Sequence, residues 1–282
     1  RVYEIPEGSK TSKGRAIQNL INIEQDDKVK AFICTQDLKD EDYINSQFVI
    51  MATKKGQVKK TSLEQYSRPR TNGINAITIK EDDELLEAKL TTGASQVMLA
   101  LKSGKAIRFE EAKTRPMGRG ASGVRGITLA HETDEVIGMI AVDDMESNIL
   151  VVSENGYGKR SSLEDYRITN RGGKGVKTIS ITEKTGNLVS IKNVIDEDDL
   201  MIINKSGVAI RLAVEDLRVM GRATQGVRLI NLKANDSIAA VAKVMREDED
   251  EIDDSEELTN EAIKETNLSQ TGEASADTQE EE

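Results

Sequence analysis

A pair of glycines recurs four times along the chain at nearly constant spacing. The first glycines are about 50 residues apart, and the second glycine of each pair follows the first by 17 to 19 residues. A unit of this length that occurs four times predicts stacked structural repeats, each of which needs its neighbours to bury an apolar face. The four pairs are Gly56 and Gly73, Gly104 and Gly123, Gly156 and Gly175, and Gly207 and Gly226.

The local chemistry of each unit predicts β-strands. Asn155-Gly156 lies between two alternating apolar and polar segments, and this dipeptide is a strong hairpin signal because both residues tolerate positive φ. A further strand is expected after each second glycine, in GINAITI, GVRGITL, GVKTISI and GVRLINL, and a fourth segment such as EVIGMIAV closes the unit. Four strands in about 50 residues are typical of a propeller blade, so we expect an all-β fold.

The repeats divide the body of the chain into predicted blades. KGRAIQNL at residues 13–20 resembles the segment after a second glycine, and VKAFICT is expected to be the closing strand of that unit. A 19-residue spacing would place the first glycine of this unit before residue 1, so we expect part of one blade upstream. The predicted units are a partial blade at 1–47 and complete blades at about 48–95, 96–147, 148–199 and 200–246.

The net charge of −11 combines two regions of opposite character. Residues 247–282 contain 16 acidic side chains and one basic side chain, Lys264, whereas residues 1–246 carry 38 basic and 34 acidic side chains. The terminal stretch has too few apolar groups to offset the entropy of ordering it, so we expect a disordered acidic tail. The body that precedes this tail is mildly basic.

Positive charge is concentrated around the segment between the two glycines of each pair. Residues 54–74, 102–126, 156–177 and 205–228 each carry five to seven basic side chains and at most two acidic ones. If the blades are arranged radially, equivalent segments lie on one rim and form a basic belt. Duplex DNA presents about one phosphate charge per 1.7 Å of its axis, so it is the polyanion that such a belt would fit.

We therefore predict that basic side chains of these segments bind DNA, together with the glycines of NRGGKG. Consecutive glycines would let main-chain N–H groups approach a phosphate, while Arg171 and Lys174 supply charge. The candidate DNA-binding residues are Lys59, Lys60, Arg68, Arg70, Arg108, Arg119, Arg125, Lys159, Arg160, Arg171, Gly172, Gly173, Lys174, Gly175, Lys177, Arg211, Arg222 and Arg228.

Other motifs in the chain do not predict an enzyme. Gly118, Gly120 and Gly123 match the pattern G-x-G-x-x-G, but the βαβ frame of a dinucleotide site is missing. His131 has no partner at metal-ligand spacing and is expected at the surface. Cys34 in KAFICT is expected to be a small apolar strand residue.

Amino-acid composition excludes several classes of protein. The single cysteine rules out a disulfide framework and a zinc ribbon, and no apolar run approaches the roughly 18–20 residues of a membrane span. Aromatic residues make up 3% of the chain, too few for a platform that stacks single-stranded bases.

Tyr66 and Tyr166 occupy equivalent positions in SLEQY and SLEDY and are expected to pack in the core. No catalytic residue, cofactor site or metal site is predicted in this chain.

Three segments carry a resemblance to a known family. VYEIPE near the start, NGYGKR and NRGGKG, together with the repeat spacing, resemble the C-terminal domain of bacterial DNA gyrase A over residues 1 to about 246. The resemblance implies a β-pinwheel, a propeller-like disc of four-stranded blades that exchange strands with their neighbours. It also implies that the outer rim wraps duplex DNA without sequence preference.

The resemblance further implies a place in a larger enzyme. The parent would be an ATP-hydrolysing type II DNA topoisomerase, an isomerase that introduces negative supercoils, with its cleaving tyrosine and its ATP and Mg²⁺ sites outside this chain. The implied partners are duplex DNA, the rest of gyrase A, and gyrase B in a heterotetramer, with no membrane partner. The implied location is the bacterial cytoplasm, in association with the nucleoid. The related C-terminal domain of topoisomerase IV is the alternative.

The family carries a signature box, Gln-(Arg/Lys)-Arg-Gly-Gly-Lys-Gly, in its first blade. Residues 169–175, TNRGGKG, match five of the seven positions but lie in the second-last repeat. MGRGASG at 117–123 and MGRATQG at 220–226 occupy the same place in other repeats with fewer matches. We therefore interpret TNRGGKG as a box-like loop rather than as the box of the family.

A second class of function stays open. A propeller can also be a scaffold for protein partners, with the acidic connections and the acidic tail as its interaction surface. In the DNA-binding interpretation, the tail is expected to compete for the basic rim at high effective concentration, and the alternative is a solubilising role. DNA affinity that falls steeply with salt would favour the first class of function, and no affinity at low salt would favour the second.

Overall fold

The computed structural model describes residues 6–9, 12–21, 27–70, 73–233 and 235–246. The chain divides into two compact units, residues 1–243 and residues 244–282. The first unit holds the sheets except for the last two residues of the final strand, and only residues 244–246 of the second unit are described. The acidic tail predicted at 247–282 therefore lies outside the described residues.

Strands dominate the described residues, as the sequence predicts. One short helix, α1, spans Glu41–Ser46, and 3-10 helices span Ile17–Asn19, Leu63–Tyr66, Glu111–Lys113 and Leu163–Asp165. The strands are β1 (Phe48–Thr53), β2 (Gln57–Ser62), β3 (Leu85–Thr91), β4 (Gln96–Leu101), β5 (Lys105–Glu110), β6 (Val124–Arg125), β7 (Val136–Val142), β8 (Asn148–Ser153), β9 (Tyr157–Ser162), β10 (Val176–Lys177), β11 (Leu188–Val194), β12 (Asp198–Asn204), β13 (Ala209–Ala213), β14 (Val227–Arg228) and β15 (Ile238–Met245).

The strands form four sheets, one for each glycine pair. Three sheets have four strands, in the orders β3-β1-β2-β6, β7-β4-β5-β10 and β11-β8-β9-β14, and the fourth has three, in the order β13-β12-β15. The strand pairs with a described register are all antiparallel. The all-β, blade-like architecture expected from the sequence is confirmed.

Each of the first three sheets takes its outer strand from the next repeat. Val124 of β6, in the second repeat, pairs with Val58 of β2 in the first, and β10 and β14 pair in the same way with β5 and β9. These exchanged strands are two residues long, shorter than the seven-residue strands expected from the sequence. The ladder ends because the N–H groups of Gly126 and Ile127 both donate to the carbonyl oxygen of Gly56, at 2.8 and 3.3 Å.

Strand exchange explains six of the eight paired glycines, whereas a Cβ at Gly73 or Gly207 would meet nothing within 4 Å and only their positive φ favours glycine. Gly56 has φ +81° in the hairpin turn, and a Cβ there would lie 2.9 Å from the carbonyl oxygen of Ile127 in the exchanged segment. Gly123 has φ +87°, and a Cβ there would lie 2.5 Å from the carbonyl oxygen of Val58. A side chain at either position would separate the exchanged strand from its sheet.

The apolar core lies between successive sheets. Val58 of the first sheet and Leu99 of the second belong to one buried cluster, and Leu150 of the third and Leu200 of the fourth belong to another. Because sheets pack on both of their faces, β1, β4 and β8 are buried along nearly their whole length rather than at alternate positions.

Two strands predicted from the sequence are absent. Residues 29–35, VKAFICT, and residues 73–79, GINAITI, have no strand structure. A strand needs a hydrogen-bonded partner, and neither segment pairs with a strand of the four sheets, although residues 30–34 line a surface pocket together with residues 87–90 of β3. Cys34 is consequently an exposed free thiol, and its predicted role as an apolar strand residue is wrong. None of the described helices is long and apolar enough to cross a membrane.

Candidate nucleic-acid interface

Three basic loops connect the second strand of a repeat to the strand that it donates. We name residues 114–123, 166–175 and 217–226 the second, third and fourth basic loops, after their repeats. Each loop begins against the preceding sheet, where Met117, Thr169 and Met220 donate main-chain N–H groups to carbonyl oxygens of β2, β5 and β9 at 2.8 to 2.9 Å. Each basic loop is therefore fixed to the blade before its own.

Successive loops are also joined by hydrogen bonds. Thr78 donates from Oγ1 to the carbonyl oxygen of Gly120 at 2.8 Å, and the N–H of Gly172 donates to the carbonyl oxygen of Gly126 at 2.6 Å. Ser180 donates its N–H to the carbonyl oxygen of Thr224 at 3.1 Å. The basic segments of the four repeats thus form one hydrogen-bonded series across the blade junctions.

Two of the junctions bring cationic side chains from adjacent repeats together. Arg171 donates from Nη1 to the carbonyl oxygen of Arg125 at 3.1 Å, and from Nε to that of Lys113 at 3.0 Å. Arg222 donates from Nη1 to the carbonyl oxygen of Lys177 at 2.7 Å. Arg125 and Lys177 are themselves exposed. The structure thus pairs Arg125 with Arg171 and Lys177 with Arg222, and no carboxylate among the described residues forms a salt bridge with any of the four.

Five predicted DNA-binding residues are buried in the sheets instead. Lys60 pairs with the buried Glu111 at 3.1 Å, and the other four donate to main-chain carbonyls of the following repeat. Both faces of β2, β5 and β9 are covered, so even cationic side chains on these strands point into the protein. Burial removes these five from the proposed contact surface: Lys59, Lys60, Arg108, Lys159 and Arg160.

The buried cations bind the blades to one another. Arg108 donates from Nη1 to the carbonyl oxygens of Leu163 and Tyr166 at 2.7 and 2.9 Å, in the 3-10 turn of the third repeat. Arg160 donates from Nε to the carbonyl oxygen of Leu217 in the fourth repeat, and it also forms an ion pair with Asp196 of its own repeat. Hydrogen bonds from charged donors contribute more than neutral ones, so these side chains stabilise the stacking of the sheets.

Two of the buried lysines have perturbed acidity. Loss of solvation on burial lowers the pKa of Lys59 to about 8, and the nearby positive charge of Arg119 acts in the same direction. Burial also lowers the pKa of Lys159 to about 8; Asp165 opposes the shift, and Arg222 reinforces it. The cause in both cases is the cost of a charge with little access to water.

Seven of the other predicted cations face solvent, and three are half-buried. Two of the exposed cations also contact other side chains of the domain. Arg211 forms a 2.6 Å ion pair with Asp199, and Arg228 donates to the hydroxyl of Tyr157 at 2.8 Å. The exposed cations are Arg68, Arg70, Arg125, Lys174, Lys177, Arg211 and Arg228. The half-buried ones are Arg119, Arg171 and Arg222.

The glycines of NRGGKG have a packing role in the structure. The N–H of Gly172 donates to the carbonyl oxygen of Gly126. The next-but-two residue, Gly175, has φ +71° and lies so close to β5 that a Cβ would be 2.6 Å from the carbonyl oxygen of Ala106. The N–H of Gly172 is therefore directed into the protein and away from any phosphate. Close contact between loop and sheet accounts for Gly175, and a φ of +82° favours glycine at residue 172.

Sequence reasoning missed three exposed arginines at equivalent positions. Arg115, Arg167 and Arg218 each lie 11 residues after the first glycine of their repeat, and all three are exposed at the start of a basic loop. An apolar side chain follows each arginine, and Ile168 and Val219 are 47% and 51% exposed. The constant register of these arginines is the signal that would have found them.

The expectations for Tyr66, Tyr166 and His131 are confirmed. Tyr166 is buried and lies 2.5 Å from Thr178 through its hydroxyl, and burial raises its pKa to about 12. Tyr66 is partly buried and packs against a further apolar cluster of Ile44, Val49, Met51 and Leu63. His131 is exposed, as expected. The described residues contain no cluster of His, Cys, Asp and Glu side chains that could hold a metal ion.

Comparison with known proteins identifies the family. The family model described as DNA gyrase C-terminal domain, beta-propeller matches the chain at residues 1–36, 47–92, 97–143, 147–195 and 198–245. The chain belongs to the DNA gyrase C-terminal domain family. These five matched stretches cover most of the chain and include all three basic loops.

Relatives and solved structures agree with membership of the gyrase C-terminal domain family. The DNA gyrase A polypeptide of Staphylococcus aureus strain NCTC 8325 is 46% identical over 258 residues, which are 91% of this chain and 28% of that protein. The gyrase A polypeptide of strain MRSA252 is 47% identical over the same lengths. This chain therefore spans little more than a quarter of the curated relatives that it matches.

Two solved structures share the fold at low sequence identity. The C-terminal domain of DNA topoisomerase IV superposes with a TM-score of 0.76 at 24% identity, over 83% of this chain and 72% of that chain. A DNA gyrase A C-terminal domain superposes with a TM-score of 0.73 at 24% identity, over 83% of this chain and 76% of that chain.

Proposed function

We propose that this domain binds duplex DNA without sequence preference and wraps it along the basic loops. The larger protein would be DNA gyrase A, with gyrase B as its partner in a heterotetramer that uses ATP and Mg²⁺ at sites outside this chain. In that enzyme, the wrapped segment would enable negative supercoiling. Membership of the gyrase C-terminal domain family and the 46% identity to a gyrase A polypeptide support this proposal.

The observation that carries the proposal is the pairing of cations across blade junctions. Arg171 is held on the main chain of Arg125, and Arg222 on that of Lys177, while hydrogen bonds join the loops in series. Cationic side chains that have no carboxylate partner among the described residues would meet successive phosphates of one duplex at successive junctions. Each neutralised phosphate releases condensed counterions, and this release is the main source of affinity in non-specific DNA binding.

The interface offers little means of reading bases. The basic loops contain no α-helix, and each ends in a strand of two residues, so the described part of the chain presents no recognition element long enough for a major groove. Contacts to phosphates position a protein but carry no sequence information. DNA composition would then matter through flexibility, because curving a duplex costs several kcal/mol and flexible steps reduce that cost.

The test is the salt dependence of affinity for duplexes of unrelated sequence. About 8 to 10 neutralised phosphates give a slope of log K against log salt of roughly −7 to −9, with similar values for each duplex. A slope shallower than about −3 would contradict a belt of phosphate contacts. No binding at about 50 mM salt would favour a scaffold for protein partners instead.

A further inference from the structure

Two buried lysines occupy the same place in alternate repeats. Lys59 and Lys159 are each the third residue after the first glycine of their pair, and the equivalent residues in the second and fourth repeats are Ile107 and Ile210. The exposed fractions of Lys59 and Lys159 are 0% and 1%. A site that accepts isoleucine in two repeats does not require a charge for the fold.

Both ammonium groups are directed at main-chain oxygens of the next basic loop. Lys59 donates from Nζ to the carbonyl oxygen of Arg119, and also to that of Ala76 at 2.6 Å. Lys159 donates from Nζ to the carbonyl oxygen of Gly221 at 2.5 Å. Among the described residues, neither lysine forms a salt bridge with a carboxylate. Main-chain dipoles of the loop are thus the principal partners of each buried charge.

The lysine accompanies one type of loop. The second and fourth basic loops, which follow Lys59 and Lys159, contain MGRGASG and MGRATQG. The third basic loop contains NRGGKG and faces Ile107, and a Cβ at Gly173 would lie 3.4 Å from Cδ1 of that isoleucine. The main-chain bond that reaches each loop from the preceding repeat is common to all three loops, from Thr78 to Ala121 at 3.3 Å, from Thr128 to Gly173 at 2.9 Å and from Ser180 to Thr224 at 3.1 Å. The buried ammonium group is therefore an additional attachment, found on the second and fourth basic loops.

We infer that Lys59 and Lys159 are positioning residues, whose buried ammonium groups hold the second and fourth basic loops so that Arg119 and Arg222 face the DNA. Lys59 binds the carbonyl of Arg119 itself, and Lys159 binds the carbonyl of the residue before Arg222. A buried charge costs free energy that a packed apolar side chain avoids, so stability alone does not account for a lysine at this place. This inference rests on the proposed function only in the statement that the loops meet DNA.

The test replaces each lysine by the isoleucine that the other repeats carry. In Lys59→Ile, amide hydrogen exchange in residues 117–123 should become several-fold faster, while exchange in 220–226 stays unchanged. Lys159→Ile should give the converse, so each variant is the control for the other. Each variant removes the bond between a loop and the ammonium group of the preceding sheet. The Gly221 carbonyl keeps Thr224 as a donor, through its N–H at 3.1 Å and its Oγ1 at 2.9 Å, so the expected effect is loss of attachment of the loop to the sheet. DNA affinity should fall several-fold in both variants. If either isoleucine variant fails to fold, the unbranched Lys59→Met and Lys159→Met replace it.

The outcomes separate this inference from the proposed function. Unchanged exchange in both loops would overturn the positioning role, whatever the DNA affinity of the variants. Equal loosening of both loops in each single variant would also overturn it, because that result reports a general loss of structure. Wild-type protein that binds no duplex at about 50 mM salt would overturn the proposed function, and the exchange experiment would still decide the role of the lysines in the loops.

Discussion

Arg171 donates from Nη1 to the carbonyl oxygen of Arg125 at 3.1 Å, so a guanidinium of the third repeat is fixed on the main chain of the second. The same relationship recurs one repeat later between Arg222 and Lys177, at 2.7 Å. In each case the acceptor residue is exposed and cationic. Strand exchange thus does more than join the sheets, since it also places two positive side chains at each of these junctions.

Removing exposed charge from the third basic loop and its outgoing strand should weaken DNA binding without affecting stability. Lys174→Ala with Lys177→Ala should make the salt slope shallower by about 2, because about two phosphate contacts are lost. The melting temperature should stay the same, since both side chains are exposed. Lys28→Ala with Lys233→Ala is the matched control, because it removes the same charge from exposed positions outside the four basic segments. Equal effects of the two pairs would indicate dependence on net charge alone.

The third and fourth repeats should contribute equally to DNA affinity. Arg171→Ala with Lys174→Ala and Arg222→Ala with Arg228→Ala should each reduce the salt slope by about 1 to 2. Affinity titrations at four or five salt concentrations would measure both. If only the Arg171 and Lys174 variant lost DNA affinity, binding would depend on a single loop and not on contacts distributed over several loops.

Arg108 should matter for stability and leave the salt slope of DNA binding unchanged. Arg108→Ala removes the charged donor of two carbonyls of the third repeat, of which that of Leu163 keeps the N–H of Tyr166, so the free energy of unfolding should fall by about 3 kcal/mol in urea titrations. Arg211→Ala removes the equivalent side chain of the fourth repeat, which is exposed and paired with Asp199, and should cost about 1 kcal/mol or less. A changed salt slope in Arg108→Ala would mean that this side chain reaches DNA after all.

Stability should rise with pH above about 8. The folded pKa of Lys159, about 8, lies below the unfolded value near 10.4, so the unfolded chain binds more protons between them and stability increases with pH. Lys59 acts in the same direction. Tyr166, whose pKa is raised to about 12, acts oppositely above pH 10. Urea titrations between about pH 8 and 9.5 should give a smaller increase for Lys159→Ile than for the wild type. Equal increases would mean that Lys159 does not titrate in this range.

Deleting residues 247–282 should raise DNA affinity several-fold at low salt. The segment carries 16 acidic side chains against one basic one, and it is tethered to a domain whose basic loops would attract it. The gain should shrink toward physiological ionic strength, where the Debye length is about 8 Å. Equal affinities with and without these residues at low salt would leave a solubilising role.

The repeat and its glycines were sufficient to predict the class of fold. Spacing identified four units of four strands, but it assigned each strand after a second glycine to its own unit, whereas Val124 pairs with Val58 of the preceding one. Exchange is a matter of tertiary pairing, and a local pattern is the same whichever neighbour receives the strand. The seven-residue lengths failed for a related reason, because two successive N–H groups converge on the Gly56 carbonyl and end the ladder.

The sequence predicted the positive charge and the location of the candidate site, but it predicted the individual contact residues less well. Charge counting placed positive side chains between the paired glycines, yet Lys59 and Arg108 in the same segments are buried. A strand covered on both faces shows no alternation, so the sequence did not reveal which cations face inward. Arg167 was overlooked, although its register matches Arg115 and Arg218.

If the domain bends DNA along its successive basic loops, the two ends of a bound duplex come closer together. Energy transfer between labels at the two ends of the duplex measures this approach. A duplex of about 40 base pairs is much shorter than the persistence length of roughly 150 base pairs, so its ends approach only if the protein curves it. Saturating wild-type domain should raise the transfer efficiency, and Lys174→Ala with Lys177→Ala should reduce that rise at equal occupancy. Saturated binding with unchanged transfer efficiency would contradict the account.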